Sequence, residues 1–506
     1  MSVDTLRETF HINRISTAEL EDFLTAQTYR PEVTEARNRV QSLNHVGLQS
    51  VCETPIRQGK SPRYVETEGL ACIKPKNTRG LIVELADCNM IDAKTESEVR
   101  RQKLEYGDVV ITRSGSGTIG RASIFTGDSD VYINDHLFIV RASKADAFYV
   151  GAFLRSYWGE RLLEAGISGS TGQLNLSNEH IKQIALYQPD PLVQKYIGDK
   201  VRQAEQLRAW AKSLELEFSN ALKSEFGEAF EDRRTGRKYS VAKKVDITYT
   251  LNPGAFDEER LRVQKYVSAL GGVLFGDIAD VSGQTTTDYD SDSVYVGLDA
   301  ISSGSCQLSP TSVGEAEVSG SSRLLLEGPV IAKLRPYLNK VSYIPAFLAG
   351  SVGSTELMCI QPKGDISGWY LYGLLKSELA LKQLRPVATG GTHPRIDRHD
   401  VLNLVVPILK NQEELGEKLQ RAQQAYFTAT ACVQAAKFLV EALIDGMVTE
   451  QHLIDAQKAL EVDEKGFDRD ILARLTNKGI DNGGEPLFHD LDQFYDLLTQ
   501  SQSTDE

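Results

Sequence analysis

Three glycines in the stretch RSGSGTIGRASI, Arg113 to Ile124, have the G-x-G-x-x-G spacing that lets backbone amides approach the pyrophosphate of a dinucleotide. That chemistry needs a strand before the glycines and a helix after them, because the helix N-terminus binds the phosphates. The preceding GDVVITR predicts a strand, but Arg121 to Thr126 predicts a second strand where the helix would have to begin. We therefore interpret Gly115 to Gly120 as a turn between two strands. A nucleotide-binding oxidoreductase that uses GSGTIG is the alternative.

Other catalytic patterns are incomplete. Gln58-Gly59-Lys60-Ser61 resembles the end of a phosphate-binding loop, but Thr54 stands where that loop requires glycine and Pro62 would lie in the following helix. Asn252-Pro253-Gly254-Ala255-Phe256 lacks the second proline of the Asn-Pro-Pro-aromatic motif of amino-methyltransferases. The sequence contains neither the G-x-S-x-G of a nucleophile elbow nor the H-E-x-x-H of a zinc site.

Acid and base groups occur together as His399-Asp400 and as Asn134-Asp135-His136, in both cases without a nucleophile beside them. We interpret both groups as surface polar residues. No catalytic residue and no metal ligand is therefore predicted, and the sequence favours a protein that is not an enzyme.

The size and charge of the chain limit what it can be. Its 506 residues exceed what one hydrophobic core usually supports, which predicts two or more domains. A net charge of −14 argues against a nucleic-acid binder, whose contacting domain is usually basic. Total charge does not say where the charges lie, and one stretch is locally basic, either as a solvated linker or as part of a binding surface. That stretch contains Arg233, Arg234, Arg237, Lys238, Lys243 and Lys244.

The cysteines and the N-terminus bear on the compartment. The polar start MSVDTLRETF is no signal peptide, and no apolar run approaches the length needed to span a membrane. Widely scattered cysteines without a C-x-x-C pair predict reduced, mostly buried thiols and a cytoplasmic protein. The six cysteines are Cys52, Cys72, Cys88, Cys306, Cys359 and Cys432.

The chain contains an internal repeat with a period of roughly 220 residues. HLFIVRASKADAFYVGAFLRSYWGERL, from His136, matches ELMCIQPKGDISGWYLYGLLKSELALK, from Glu356, since both run from a strand pattern into an amphipathic helix. GSTGQLNLSNEHIKQIALYQPD, from Gly169, matches GGTHPRIDRHDVLNLVVPILK, from Gly390. Upstream, GDVVITRSGS matches GPVIAKLRPY, from Gly328. These matches predict a duplicated domain of mixed strands and helices.

A long helical pattern follows each copy. Apolar or small residues recur there in alternating steps of three and four, as at the seam of a coiled coil. Two such seams predict an antiparallel pair that ends at Gly227 and Gly446, with helices that pack on their own domains as the alternative. At about 1.5 Å per residue, the pair would form a spacer on the order of 50 Å. The seam residues are Ala204, Leu207, Ala211, Leu214, Phe218 and Ala221, then Leu415, Leu419, Ala422, Tyr426, Ala429, Val433, Ala436, Val440 and Leu443.

The predicted fold class is α+β. Two duplicated globular domains are joined by two long helices that form an antiparallel coiled coil, and a small helical extension follows. In that extension Thr449 is the predicted N-cap of a helix over TEQHLIDAQKALE, two further helices surround an Asn-Gly-Gly turn, and QSQSTDE is predicted to be disordered. The predicted boundaries are 1–44 for a helical lead-in, 45–190 and 271–410 for the two domains, 191–228 and 411–446 for the long helices, 229–270 for a basic connector and 447–506 for the acidic extension.

The ordered pieces resemble the specificity subunits of type I restriction-modification systems. The resemblance covers roughly residues 45 to 446 and rests on GKSPRYVETEGLACIKP, GDVVITRSGSGTIG, INDHLFIVR and GSTGQLNLSNEHIKQIALYQP, in that order. The long helix after Pro191 completes the unit, and a divergent copy with its own helix follows. The second copy departs most from the pattern, with THPR in place of TGQL.

The resemblance implies a division of labour. Each domain is a target-recognition domain that reads one half of a split, asymmetric DNA sequence, and the paired helices set the gap between the halves. The subunit makes no chemical change and needs no cofactor. Two modification subunits, which bind S-adenosylmethionine and methylate adenine, dock on the helical parts, and motor subunits that use ATP and magnesium translocate and cut unmethylated DNA. The implied partners are double-stranded DNA and these subunits, with no membrane.

Polar side chains on loops are the candidates for DNA contacts, because they carry out direct readout of bases. The alternative for the glycine turn is a solvated hairpin. Gln173 and Asn175 are amides suited to bidentate adenine contacts, and Asn175 can equally cap the helix pattern SNEHIKQI. The candidates are Lys60, Arg113, Ser114, Ser116, Thr118, Arg121, Thr171, Gln173 and Asn175 in the first copy, and Lys333, Arg335, Tyr337, Asn339, Lys340, Thr392, His393 and Arg395 in the second.

A rival hypothesis from another class is a scaffold that binds no DNA. In that protein the coiled coil would join two protein-binding domains. Chromatography on DNA with and without a modification subunit separates the two hypotheses.

Overall fold

In the computed structural model the chain divides into two compact units, Met1–Gln206 with Thr428–Gln500 and Leu207–Phe427 with Ser501–Glu506. The structure describes residues 15–17, 20, 24, 26–85, 87–115, 117–169, 174–232, 241, 243–244, 247 and 249–502. Four residues of the basic stretch, Arg233, Arg234, Arg237 and Lys238, lie outside these ranges, as do the candidates Ser116, Thr171 and Gln173.

The first globular domain is built from short strands and short helices. Its strands are β1 (His45–Gly47), β2 (Arg57–Gln58), β3 (Tyr64–Val65), β4 (Leu70–Ile73), β5 (Asn89–Ile91), β6 (Val109–Thr112), β7 (Ala122–Ile124), β8 (Val131–Ile133), β9 (Leu137–Val140), β10 (Ile167–Ser168), β11 (Asn175–Leu176) and β12 (Ala185–Tyr187). Its helices are α1 (Pro31–Gln41), α2 (Glu96–Val99), α3 (Ala147–Leu154), α4 (Tyr157–Ala165) and α5 (Asn178–Gln183). The long helix α6 (Pro191–Phe230) follows.

Two four-stranded sheets form the centre of this domain. One has the order β2-β9-β6-β7 and is antiparallel, and the other has the order β3-β5-β4-β8, in which β4 and β8 are parallel. Both VVIT of β6 and LFIV of β9 are buried along their whole length, which explains their unbroken apolar sequences. Helix α3 packs against β6 and β7, and its N-cap Asp146 accepts hydrogen bonds from the amides of Phe148 and Tyr149.

The second globular domain uses a similar set of elements. Its strands are β13 (Val273–Leu274), β14 (Ala279–Ser282), β15 (Thr285–Thr286), β16 (Val294–Val296), β17 (Thr311–Ser312), β18 (Ser322–Leu324), β19 (Gly328–Ala332), β20 (Val341–Ile344), β21 (Val352–Gly353), β22 (Leu357–Pro362) and β23 (Val405–Val406). Its helices are α7 (Glu258–Ala269), α8 (Phe275–Ile278), α9 (Gly368–Lys376), α10 (Glu378–Leu384) and α11 (Arg398–Leu402), and the long helix α12 (Gln412–Asp445) follows.

The two domains share the strand order of one antiparallel sheet, which confirms the duplicated fold, while their other main sheet has four strands in the first domain and five in the second. The antiparallel sheet β14-β22-β19-β20 has the strand order of β2-β9-β6-β7, and the parallel pair β16 and β21 corresponds to β4 and β8. The register is also shared, because Val110 pairs with Ile139 in the first sheet and Val330 with Cys359 in the second. Strand β13 pairs with β23 as β1 pairs with β12.

The long helices α6 and α12 are antiparallel neighbours within the second unit. The Tyr426 hydroxyl donates to Glu215 across 3.0 Å, and the Lys418 ammonium lies 2.8 Å from Glu217. The two helices therefore run in opposite directions, since a later residue of α6 pairs with an earlier residue of α12. Helix α12 ends at Asp445, immediately before Gly446 with its φ of +79°. In α6 the helical geometry is interrupted at Phe226, next to Gly227, and the helix continues to Phe230.

The packing of the helices is broader than a narrow seam. Both helices also contact the second globular domain. Glu215 of α6 accepts a 2.6 Å hydrogen bond from the Cys306 amide, and Gln423 of α12 donates to the Cys306 carbonyl. In α12 the seam candidate Val433 is half-buried while its neighbour Cys432 is fully buried. The three-four pattern thus misplaced Val433, since the structure buries its neighbour Cys432 instead. Packing on its own domain is thus present for α12 together with the pairing, whereas Glu215 of α6 contacts the second domain and not the first.

The close approach of α9 illustrates this packing. A Cβ on Gly373 of α9 would lie 2.3 Å from the Phe218 ring of α6 and 2.6 Å from Leu419 of α12. Only glycine fits there, so the second globular domain is fastened directly to both seam residues.

The C-terminal extension is more mixed than predicted. Thr449 caps α13 (Glu450–Leu460) as expected, with its hydroxyl accepting from the His452 amide. After α14 (Gly466–Ala473) comes a hairpin of β24 (Leu475–Thr476) and β25 (Gly479–Ile480), and α15 (Leu491–Gln502) ends the described chain. The prediction missed the hairpin because its strands are two residues long. Helix α15 also includes the first part of QSQSTDE, where disorder was predicted, and 503–506 lie outside the described residues.

A buried ion pair fastens this extension to α6 within the first unit. The Lys200 ammonium lies 2.6 Å from Asp468 of α14, and both side chains are 1% exposed. The hydroxyls of Tyr196 and Tyr495 donate to the same carboxylate. These donors hold the pKa of Asp468 below its usual range in spite of burial.

Two sequence expectations concern thiols and membranes. The six cysteines are free thiols, and all but the half-buried Cys88 are buried. Contrary to the expectation from apolar runs, one described helix, α12, is long and apolar enough to cross a membrane by length and composition. Because 56% of its most apolar window is buried inside the protein, it has the character of a core helix.

Candidate nucleic-acid interface

The glycine turn of the first domain is the loop of a β-hairpin. Strands β6 and β7 pair antiparallel on either side of it, so no helix follows the glycines and the dinucleotide interpretation lacks its phosphate-binding element. The left-handed φ angles of Gly115, Gly117 and Gly120 are +133°, +68° and +80°. Side chains are strained in such conformations, which explains the glycines without a ligand.

Three segments distant in sequence meet at the start of this turn. The Arg113 amide donates to the His136 carbonyl across 2.8 Å, and the Arg113 carbonyl accepts from the Leu176 amide across 2.9 Å. Ser114 forms a β-bridge with Asn175, and its hydroxyl lies 2.6 Å from the His136 ring. The structure therefore brings Arg113, Ser114 and Asn175 together, and adds His136.

Other candidates of the first domain support the turn. The Thr118 hydroxyl donates to the Gly115 carbonyl at 3.0 Å, and the Arg121 guanidinium donates to the Gly117 carbonyl at 2.8 Å. Both contacts stiffen the loop. Lys60 is exposed after β2, where a Cβ on Gly59 would lie 2.1 Å from the Asn134 carbonyl oxygen, so close packing rather than phosphate binding accounts for that glycine.

The second domain repeats this convergence with other side chains. The Lys333 amide donates to the Glu356 carbonyl across 2.8 Å, and its carbonyl accepts from the Ile396 amide across 3.1 Å. Leu334 forms a β-bridge with Arg395. Arg395 thus takes the place of Asn175, and Glu356 takes the place of His136.

Charge is distributed differently at the second site. The Arg395 guanidinium donates to both carboxylate oxygens of Glu356, at 2.9 to 3.2 Å, and this ion pair raises its pKa. Thr392 and His393 are exposed on the short loop that precedes Arg395. The Lys340 ammonium donates to the carbonyl of Ile301, which lies in another segment of the same domain.

A buried cation lies behind the turn of the second domain. The Lys376 ammonium, at the end of α9, donates to the carbonyls of Ser302, Asn339 and Val341 at 2.7, 3.1 and 3.2 Å. The Asn339 amide in return donates to the Lys376 carbonyl at 2.9 Å. Burial lowers the pKa of Lys376 to about 8.

In the first domain Arg155 follows α3 as Lys376 ends α9. Its guanidinium donates to the Arg79 carbonyl across 3.0 Å, and burial lowers its pKa. Sequence analysis missed both cations, although the repeat places them at corresponding helix ends. It also missed His136 and Glu356 as site residues, although both begin the aligned segments.

Several polar groups have roles other than those expected. Helix α5 is capped by Ser177, whereas Asn175 lies in β11, so the capping interpretation of Asn175 is wrong. Asp400 is buried and accepts a 2.8 Å hydrogen bond from Tyr249, so it is not the surface residue that was expected. Asn252 caps a short 3-10 turn and donates to the Val387 carbonyl. In each case the local sequence allowed the expected role, but contacts with residues elsewhere in the chain gave the side chain a different one.

The chemistry that the two turns offer is that of hydrogen-bond donors on a constrained backbone. Within the described residues no group of three or more His, Cys, Asp or Glu could hold a metal ion. What the site offers is amide, hydroxyl, guanidinium and ammonium donors on stiff turns. Such donors suit phosphate positioning and base-edge readout.

Comparisons with known proteins return structures but no sequence relatives. No family model and no curated protein matches the chain. Solved structures do match. Three of them are similar to this chain over more than four fifths of its length.

Two of these structures are named as S or HsdS subunits. The S subunit of a type I restriction-modification system from M. genitalium is 12% identical, with 82% of this chain and 96% of that chain covered and a TM-score of 0.34. The HsdS subunit from Thermoanaerobacter tengcongensis is 15% identical, with 84% and 97% covered and a TM-score of 0.24. A structure of type I restriction-modification complex assembly is 14% identical, with 82% and 97% covered and a TM-score of 0.25.

Proposed function

We propose that this chain is the sequence-specific DNA-recognition subunit of a type I restriction-modification complex. The observation that carries the proposal is one backbone frame, present once in each domain, that holds different side chains at corresponding places. Asn175 and His136 occupy it in the first domain, and Arg395 and Glu356 in the second. Two similar readers with different contact groups suit a target with two unlike halves.

The proposal also assigns roles to the two domains, the long helices and the partner subunits. Each domain reads one half of a bipartite target, and α6 with α12 sets the spacer and docks two modification subunits. S-adenosylmethionine, ATP and magnesium act on the modification and motor subunits, while this chain carries out no chemical step. The complex works in the cytoplasm.

Reconstitution tests the proposal. The chain is combined with a modification subunit, and methylated sites are mapped by sequencing the DNA of cells that contain both. The expected result is adenine methylation within one bipartite motif, with none from the chain alone. Methylation or cleavage by the rigorously purified chain would contradict its non-catalytic role, and a complex without DNA specificity would favour the scaffold.

Extending the helices tests the spacer. Adding four residues to both α6 and α12 moves their ends by roughly 6 Å, since a helix rises about 1.5 Å per residue. One base-pair step is about 3.4 Å, so the preferred spacer should lengthen by one or two pairs with both half-sites unchanged. Extension of α6 alone is the control and should destabilise the pair. An unchanged spacer in the doubly extended chain, with methylation retained, would show that the helices do not set the distance.

A further inference from the structure

The turn of the second domain has an exposed apolar tip. Tyr337 and Leu338 are adjacent, lie in the 3-10 turn Pro336–Leu338, and are 44% and 40% exposed. Among the described residues of the corresponding turn in the first domain no two adjacent large apolar side chains are exposed, and no atom lies within 4 Å of a Cβ built on Gly117. The shared fold therefore does not require an apolar tip, and its presence in one copy calls for a role specific to that copy.

The backbone of this tip is fixed on both sides. Arg335 and Asn339 both have left-handed φ angles, +49° and +50°, which are unfavourable for residues with side chains. The Arg335 amide donates to the Pro394 carbonyl across 2.7 Å, and the Leu338 amide donates to the Arg335 carbonyl across 2.9 Å. Pro336 further restricts the chain between them. The tip is a rigid projection.

The base of the turn is anchored in the interior. Lys376 bonds the carbonyls of Asn339 and Val341 and also that of Ser302, in the loop before Cys306. The Cys306 amide and carbonyl are in turn held by Glu215 of α6 and Gln423 of α12. Hydrogen bonds therefore connect the base of the turn, through Lys376 and the loop before Cys306, to both long helices.

The surroundings of the tip suit a polyanion more than an apolar protein surface. Lys333 and Arg335 precede it on the same turn. Of the described residues 333–335, 356 and 394–396 that converge here, Glu356 alone is acidic, and it forms an ion pair with Arg395. Apolar side chains flanked by cations match the arrangement by which proteins insert side chains between stacked bases while holding the adjoining phosphates.

We propose that Tyr337 and Leu338 form a rigid wedge that enters the base stack at one step of the half-site read by the second domain. The proposal rests on the DNA-recognition function proposed above. Unstacking a step costs a few kcal/mol, so a wedge is effective only on a support that does not yield. A contact with a thymine methyl group needs no such support, which is why the anchored turn favours insertion.

The test uses the complete complex of this chain with its modification subunits and duplexes that contain its mapped target. 2-Aminopurine, whose fluorescence rises when it leaves the stack, replaces one base at a time in each half-site, apart from the methylated adenine. We expect a rise at one step of the second half-site, lost in the Tyr337→Ala, Leu338→Ala double variant at saturating protein. Specific binding by that variant should weaken roughly tenfold or more. Phe347→Ala, at an exposed aromatic ring outside the turn, should change neither.

The outcomes separate the wedge from the wider function. Specific binding without any rise in fluorescence, or a rise that the double variant retains, would overturn the wedge alone. Deoxyuridine in place of one thymidine that weakens binding as much as the double variant, without unstacking, would replace insertion by a methyl contact. A complex with no preferred bipartite sequence would overturn the proposed function together with the wedge.

Discussion

The turns after β6 and β19 occupy the same position in the two domains but are stiffened by different means. The first turn depends on glycines in left-handed conformations and on side chains, such as Arg121, that bond its own backbone. The second has left-handed residues with side chains and depends on Lys376, a cation from another element. The first leaves room for backbone to approach a surface, and the second projects side chains into it. The exposed side chains of a duplicated turn can thus diverge while the register of the strands that hold it stays the same.

In the first unit the long helix α6 is held by the buried ion pair of Lys200 with Asp468, and removing this pair should have the largest effect. Replacing Asp468 by alanine leaves Lys200 buried without its carboxylate, which should cost about 3–5 kcal/mol of stability in the first unit. Local unfolding of that unit, measured by hydrogen exchange, should increase while the second unit changes little. Asp199→Ala, which removes the partly exposed partner of both Lys195 and Arg202 on the same helix, is the control.

The same pair predicts a dependence on pH. Since the pKa of Asp468 is lower in the folded chain than in the unfolded chain, its contribution is complete above about pH 4 and is lost as the pH falls through its folded value. The stability difference between the wild type and Asp468→Asn, followed by denaturant unfolding, should therefore shrink on acidification. A difference that grows towards low pH would show that the carboxylate is not ionised in the fold.

Arg113 and Lys333 occupy equivalent positions in the structure, one residue away from the match of GDVVITRSGS with GPVIAKLRPY, which pairs Arg113 with Leu334. Replacing each by alanine sharpens the comparison of the two sites. If Arg113 makes a bidentate guanine contact, discrimination should fall by about 1–3 kcal/mol at the first half-site only. Lys333→Ala should affect only the second half-site. Competition binding of the assembled complex to single-base variants of the target measures both. Equal weakening on all sequences would assign the residue to phosphate contact instead.

The smallest effect concerns the ion pair that exists only in the second site. Glu356→Gln removes a negative charge beside Arg395 and releases its guanidinium. DNA affinity should rise modestly, and the salt dependence should steepen by about one phosphate contact if Arg395 then reaches the backbone. His136→Gln at the equivalent position of the first domain should leave the slope unchanged. A weaker complex in Glu356→Gln would mean that the ion pair itself positions Arg395 for binding.

Part of the candidate site could be anticipated from the repeat, although the sequence matches place Lys333 and Arg395 one residue away from their structural equivalents. Aligning HLFIV with ELMCI already places His136 opposite Glu356, and both prove to accept a hydrogen bond from the residue that begins the turn. The Arg155 and Lys376 anchors share corresponding helix ends, but nothing local indicates which carbonyls they reach. Asn175 shows the limit most clearly, since a polar residue before a helix pattern fits both a cap and a strand.

The sequence by itself determined the duplication, the mixed fold and the two long helices, because strand and helix periodicities and their repetition are local properties of the chain. Only the tertiary structure decided which segments meet at each turn, that Cys432 rather than Val433 faces the interior, and that Asp468 joins the extension to α6. Those outcomes depend on hydrogen bonds and burial between residues far apart in sequence. A side chain's neighbours, and with them its role, are fixed only when the chain has folded.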